Sequence, residues 1–134
     1  MRAAAFAFQG LVRIAVPAEL VLGLIFWSGN LGFLVPLHEG LGLLLVLALW
    51  GLAVTAAIAR ITPAVVVLAL TYGLAVPILG ELQASLLPGS GHWIVETVHL
   101  LLGLGLLALA EWLGFLIRRR RPTPPGRSRG DARA

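Results

Sequence analysis

The sequence predicts an all-α fold: a four-helix transmembrane bundle with short loops and both termini on the cytoplasmic side. Three observations lead there. The first is composition. Of 134 residues, 59% are hydrophobic and 12% charged. A soluble domain carries about 25% charged residues, and a chain this short cannot hide so much apolar surface in one water-soluble core. The second is four apolar stretches, each near the roughly 20 residues that a helix needs to cross the hydrocarbon. The third is the placement of the arginines. There are ten and no lysine, and seven of them lie beyond residue 117. The others are Arg2 and Arg13 ahead of the first stretch and Arg60 between the second and third. The two alternate connections contain no basic residue, so an even number of crossings puts every positive charge on one side, the inner one by the positive-inside rule.

The spans are expected at 14–35, 37–59, 63–82 and 93–117, inside one domain covering 1–121. The opening MRAAAFAFQGLVR is basic and then apolar, but no small-residue cleavage pattern follows, and it is read as leading into a retained first span. Pro36 and Pro63 suit the first turns of helices two and three, where a missing N–H costs nothing. Pro77 falls inside helix three and is expected to kink it. Leu87-Pro88-Gly89-Ser90-Gly91 is turn chemistry between helices three and four. The remainder, 122–134, is polar, basic and proline-rich with nothing to bury, and is expected to be a disordered cytoplasmic tail. On a membrane protein its arginines read as an orientation signal and an attraction to anionic lipid rather than as a nucleic-acid site. The absence of cysteine excludes disulfides, iron–sulfur clusters, thiolate metal sites and c-type haem attachment.

Two segments share a pattern. HEGLGLLLVLALW begins at His38 and HLLLGLGLLALAEW at His99, and each histidine is followed four residues on by glycine, Gly42 and Gly103. Residues four apart share a helix face. A histidine that ligates haem iron lays a flat macrocycle against that face, and glycine one turn along lets the ring approach. His38 stands 22 residues before Arg60 and His99 stands 19 before Arg118. At about 1.5 Å per residue the two depths differ by roughly 4–5 Å, which helix tilt absorbs. His92 is about 6 Å off in the other direction by the same rise, and beside Trp93 it reads as interfacial.

The sequence Glu96-Thr97-Val98-His99 inside a span, with small residues after it and a partner histidine two helices away, resembles one four-helix half of haem A synthase, and small b-type membrane cytochromes in general. The resemblance covers 37–42 and 96–103 closely and the rest as hydropathy. It implies that His38 and His99 are the axial ligands of one haem b between helices two and four near the outer face. Gly42, Gly103 and Glu96 would lie beside it. The arginine that follows the histidine in that family is replaced by Leu100, and this chain contains one half rather than two. Haem binding in electron transfer or haem handling is therefore the expected inheritance. A membrane quinol or a redox protein would be the partner, and the plasma membrane the location. The outer side offers propionates no arginine or lysine, only His92, the Trp93 N–H and the free N–H groups opening helix four.

Three alternatives stand beside it. Glu19 and Glu111 both fall in the cytoplasmic half by their distance from Arg13 and Arg118, and could form the carboxylate site of a small, dimeric, proton-coupled transporter. Glu39, Glu81 and Glu96 group with His38, His92 and His99 near the outer face and could bind a divalent metal. A small chain with an apolar surface all round would also suit an accessory subunit of a larger membrane complex. Trp27, Trp50, Trp93 and Trp112 read as interfacial belt residues, and Tyr72 as a second-shell donor or a cap on a neighbouring helix.

Overall fold

A computed structural model describes residues 1–29 and 31–120. Four helices make up nearly all of it: α1 (Arg2–Trp27), α2 (Val35–Ile58), α3 (Pro63–Leu82) and α4 (His92–Arg119). Short 3₁₀ turns at Gly32–Leu34 and Gln83–Ser85 lead into α2 and out of α3. The described residues contain no strand. All four helices are long and apolar enough to cross a membrane. The tail expected over 122–134 lies outside the described residues.

Helices two to four fall close to their expected limits. Pro36 and Pro63 sit in first turns, and Pro77 lies within α3. The first helix does not. It runs from Arg2 to Trp27 rather than over 14–35. Arg2 and Arg13, expected ahead of the span, both belong to the helix. Arg13 finds a carboxylate on α4, Glu111. Arg2 donates to the carbonyls of Arg118 and Arg120. The stop comes early because Ser28 and Gly29 close the helix. Their N–H groups return to the carbonyls of Leu24 and Phe26, and Gly29 adopts a φ of 77° that glycine takes at no steric cost. Pro17 is carried inside α1 as well.

The bundle has α1 packed on α2 and α4, and α3 packed on α2 and α4. α2 and α4 run in the same direction and meet across the middle, while α1 and α3 occupy opposite corners. The arginines gather at one end. Besides the Arg2 contacts, Arg120 donates to the carbonyl of Arg60, in the turn between α2 and α3, at 2.8 Å.

Packing is uneven along the axis. The core is built from Ala5, Val12 and Val16 of α1, the Leu45–Ala56 portion of α2, Ala69 of α3, and the Leu106–Ile117 portion of α4. All of these lie toward the arginine end. Toward the other end α2 has no buried residue before Leu45, and α4 has only Val95 before Leu106. Outward faces are apolar throughout, with Leu43, Leu47, Val54, Leu101 and Phe115 all exposed. Contiguous exposed apolar surface on this scale suits lipid rather than water.

Polar groups are used to tie helices together where hydrocarbon offers no alternative partner. Trp50, expected at the interface, instead donates its indole N–H to the carbonyl of Leu70 on α3 at 3.1 Å. Gly73 makes room for that ring. The Tyr72 hydroxyl donates to the carbonyl of Leu102 on α4 at 3.0 Å, the capping role foreseen for it. The most connected side chain is Gln9, 1% exposed. Its amide N–H₂ group donates to the carbonyls of Ala110 and Glu111 and to Glu111 Oε2, and its Oε1 accepts from Arg118. Arg13 grips the same Glu111 carboxylate with Nε and Nη2 at 2.6 and 2.7 Å.

Candidate functional site

Each histidine is placed by a helix start. His38 is the fourth residue of α2, and His99 is the eighth of α4. Both helices begin at the end of the bundle away from the arginines, so both imidazoles enter the loosely packed half. His38, Gly42, Leu45, Leu49 and Leu52 share one face of α2, and His99, Gly103, Leu106, Ala110 and Leu113 share one face of α4. The last members of each series are buried. The histidines and their glycines therefore point into the bundle.

The structure brings the two rings together. Their centroids are 6.3 Å apart with planes inclined by 63°. Phe26 of α1 meets the His38 ring edge-on at 5.5 Å. On α3, Gly80 lies under His99, so close that an added Cβ would approach Cε1 at 3.2 Å. That distance is tighter than a relaxed contact, so only glycine leaves the ring where it is. Gly80 was invisible to the sequence reading because nothing local distinguishes it from the other helix-packing glycines. Gly42 and Gly103 are different. An added Cβ at either would meet no heavy atom within 4 Å. Neither glycine is packed against a neighbouring helix, and few residues are buried at this end of the bundle.

A carboxylate enters from a helix that the sequence did not assign to this site. Glu19 of α1 places Oε2 2.5 Å from His38 Nδ1, and the two side chains are 12% and 21% exposed. Glu19 was expected in the cytoplasmic half beside Glu111. The register of α1 puts it with the histidines, while Glu111 pairs with Arg13 toward the other end. The Glu19–His38 approach has ion-pair distance but not hydrogen-bond angles. Glu19 Oε1 and His99 Nδ1 are buried without a hydrogen bond, and His38 Nδ1 has only the Glu19 carboxylate beside it. Native interiors pair such atoms almost without exception, so their gathering calls for an explanation.

The other expected participants are not drawn in. Glu96 forms no hydrogen bond or ion pair among the described residues. His92 is in hydrogen-bond contact, through Nδ1, with the carbonyl of Leu86 at 3.2 Å and closes the turn before α4. Among the described residues no three His, Asp or Glu side chains are placed to hold a metal ion by themselves. The six-residue divalent-metal cluster is thus not assembled, because Glu39 and Glu81 remain on the exposed surface. A haem makes a smaller demand on the protein, since the porphyrin fills four positions and two axial ligands suffice. His38 and His99 could supply those two.

No protein-family model matches the chain, and it matches neither a curated protein nor a solved structure.

Proposed function

We propose that the protein is an integral membrane haem b protein, with His38 and His99 as the axial ligands and a role in electron transfer or haem handling. The observation that carries this reading is the pair of imidazoles converging from α2 and α4 at 6.3 Å. Metal–imidazole bonds of about 2.0–2.1 Å put two rings that share one ion roughly 6 Å apart, centre to centre. Three further features support it: the buried Glu19 Oε1 and His99 Nδ1 left without hydrogen bonds, the absence of any packed neighbour at Gly42 and Gly103, and the thin core around them.

Haem b, when bound, supplies a reversible one-electron couple. The chain's own residues do the rest. His38 and His99 offer Nε2, which no hydrogen bond among the described residues engages. Glu19 orients the His38 ring through Nδ1 and makes that imidazole a stronger donor, as carboxylates behind metal-bound histidines do. Gly80 fixes the position of His99, and Phe26 shields His38 on the α1 side. The arginine-rich end is assigned to the cytoplasm by the positive-inside rule. The histidines then lie toward the outer leaflet of the plasma membrane, where a quinol or an outer redox protein would exchange electrons with them.

The deciding measurement is the visible spectrum of the protein purified in detergent from haem-replete cells. A Soret band that shifts on dithionite reduction is expected, and a colourless protein would overturn the proposal. Glu19→Gln is expected to keep the band and raise the midpoint potential, because an anionic neighbour of the oxidised centre is lost. A tenfold weaker relative hold on the oxidised form corresponds to about 59 mV for one electron, and an unmoved potential would remove Glu19 from the site.

A second reading is favoured by one observation, the buried Glu19 oxygen without a hydrogen bond beside His38. A carboxylate–histidine cluster of this kind inside a membrane can carry protons in a small transporter. Its original form, with Glu19 and Glu111 sharing a site, is not what the structure assembles. Proton-dependent flux in vesicles that is lost in Glu19→Gln would favour it over haem.

A further inference from the structure

The geometry points to a binding site for an anionic phospholipid at the arginine end of the bundle, between the start of α3 and the end of α4. A cleft of about 340 Å³ opens there, lined by Thr62, Val65, Trp112, Leu116, Arg119 and Arg120. Among the described residues its two cations have no anion of their own, since the one carboxylate at this end is Glu111, which Arg13 already holds. Arg119 lies over the Phe115 ring at 4.4 Å, which fixes the guanidinium without neutralising it. Arg120 spends one N–H on the carbonyl of Arg60 and is otherwise uncommitted. The Thr62 hydroxyl makes no cap bond to its helix. Two guanidinium forks and a hydroxyl are the donors a phosphate diester takes.

The remaining walls choose a lipid over a free anion. Val65 and Leu116 are apolar, and the cleft sits against helices whose outer faces carry exposed leucine and phenylalanine. Acyl chains have surface to follow there, whereas a soluble phosphate would gain nothing from it. Trp112 is exposed on the same side, at the depth where indoles meet headgroups. Basic pockets between spanning helices at the cytoplasmic face bind anionic headgroups by this chemistry. The inference is independent of the histidine site.

The test uses the full chain in uncharged detergent, with lipid occupancy read by native mass spectrometry. The probes are phosphatidylglycerol, phosphatidylcholine and glycerol phosphate. Phosphatidylglycerol is expected to be retained in preference to the other two. Arg119→Gln and Arg120→Gln are each expected to weaken that retention about fivefold, the worth of one arginine at a membrane surface. Arg60→Gln, at the same end but with its side chain outside the cleft, is expected to leave it unchanged, since only the Arg60 carbonyl meets Arg120. The tail arginines are present in every variant and cancel. Equal retention of the two lipids would overturn the site, and so would equal loss in Arg60→Gln and Arg119→Gln or full competition by glycerol phosphate.

Discussion

A His99→Ala variant is expected to purify in normal yield and without a Soret band. His99 is one of two nitrogen donors at the proposed centre, and no third histidine is near enough to replace it, since His92 is occupied with the turn at Leu86. Loss of an axial imidazole removes the bond that fixes the cofactor, so occupancy should fall by well over the 10–100-fold seen for second-shell changes at metal sites. The fold should survive, because the core lies below the histidines, from Leu45 and Leu106 onward. His38→Ala should behave alike, whereas His92→Ala should keep the band. The absorbance of the three variants, matched for protein and checked for helicity by circular dichroism, tests the assignment. A full band in His99→Ala would end it.

The largest effect on stability is expected from Gly114→Val. Gly114 is buried on α4, and the space where its side chain would stand is occupied by the Gln9 amide. Overfilling a packed interior costs about 1–3 kcal/mol, and stranding a buried amide adds about 1–3 kcal/mol. Together the substitution should cost about 2–6 kcal/mol, read as a lower midpoint in detergent unfolding. The physical cause can be separated from simple crowding. In Gln9→Ala the obstructing group is gone, so Gly114→Val added to it should cost much less than in the parent. Contacting residues show this kind of non-additivity at 0.5–3 kcal/mol. Strict additivity would mean that Gln9 is not what the valine displaces.

The two predictions probe opposite ends of one design. At the arginine end α1 and α4 are locked by Gln9, Arg13, Glu111 and Arg118 over a filled core. At the histidine end few residues are buried, and Glu19 Oε1 and His99 Nδ1 go without hydrogen bonds. Under the proposed haem reading, a packed base that holds two helix starts at a set separation would position the ligands before the group arrives.

Much of the architecture was legible from residue order. Hydropathy marked the number of helices, because backbone groups in hydrocarbon must be satisfied within the segment. Pro36 and Pro63 marked two helix starts. The spacing of His38 and His99 from Arg60 and Arg118 placed them at one depth, because helix rise is constant. What was not legible was anything that depended on how α1 sits against its neighbours. Hydropathy tolerates sliding a helix along the membrane normal by several residues, so it assigned the first span to 14–35 and sent Glu19 toward Glu111. Specific pairings set the register instead: Arg13 with Glu111, Arg2 with the carbonyls ending α4, and Glu19 with His38. For the same reason Gly80 could not be distinguished as the glycine beneath His99.

Residue order by itself determined that this chain is a four-helix membrane bundle with its positive charge at one end and two inward histidines at the other, because hydrogen-bond closure, helix rise and charge placement are properties of each segment alone. Only the tertiary structure decided which carboxylate stands behind His38, which glycine seats His99, and that the bundle is densely packed at one end and thinly at the other. Those depend on the rotation and register of one helix against another, and they are settled by a few polar contacts that many different sequences of equal hydropathy would lack.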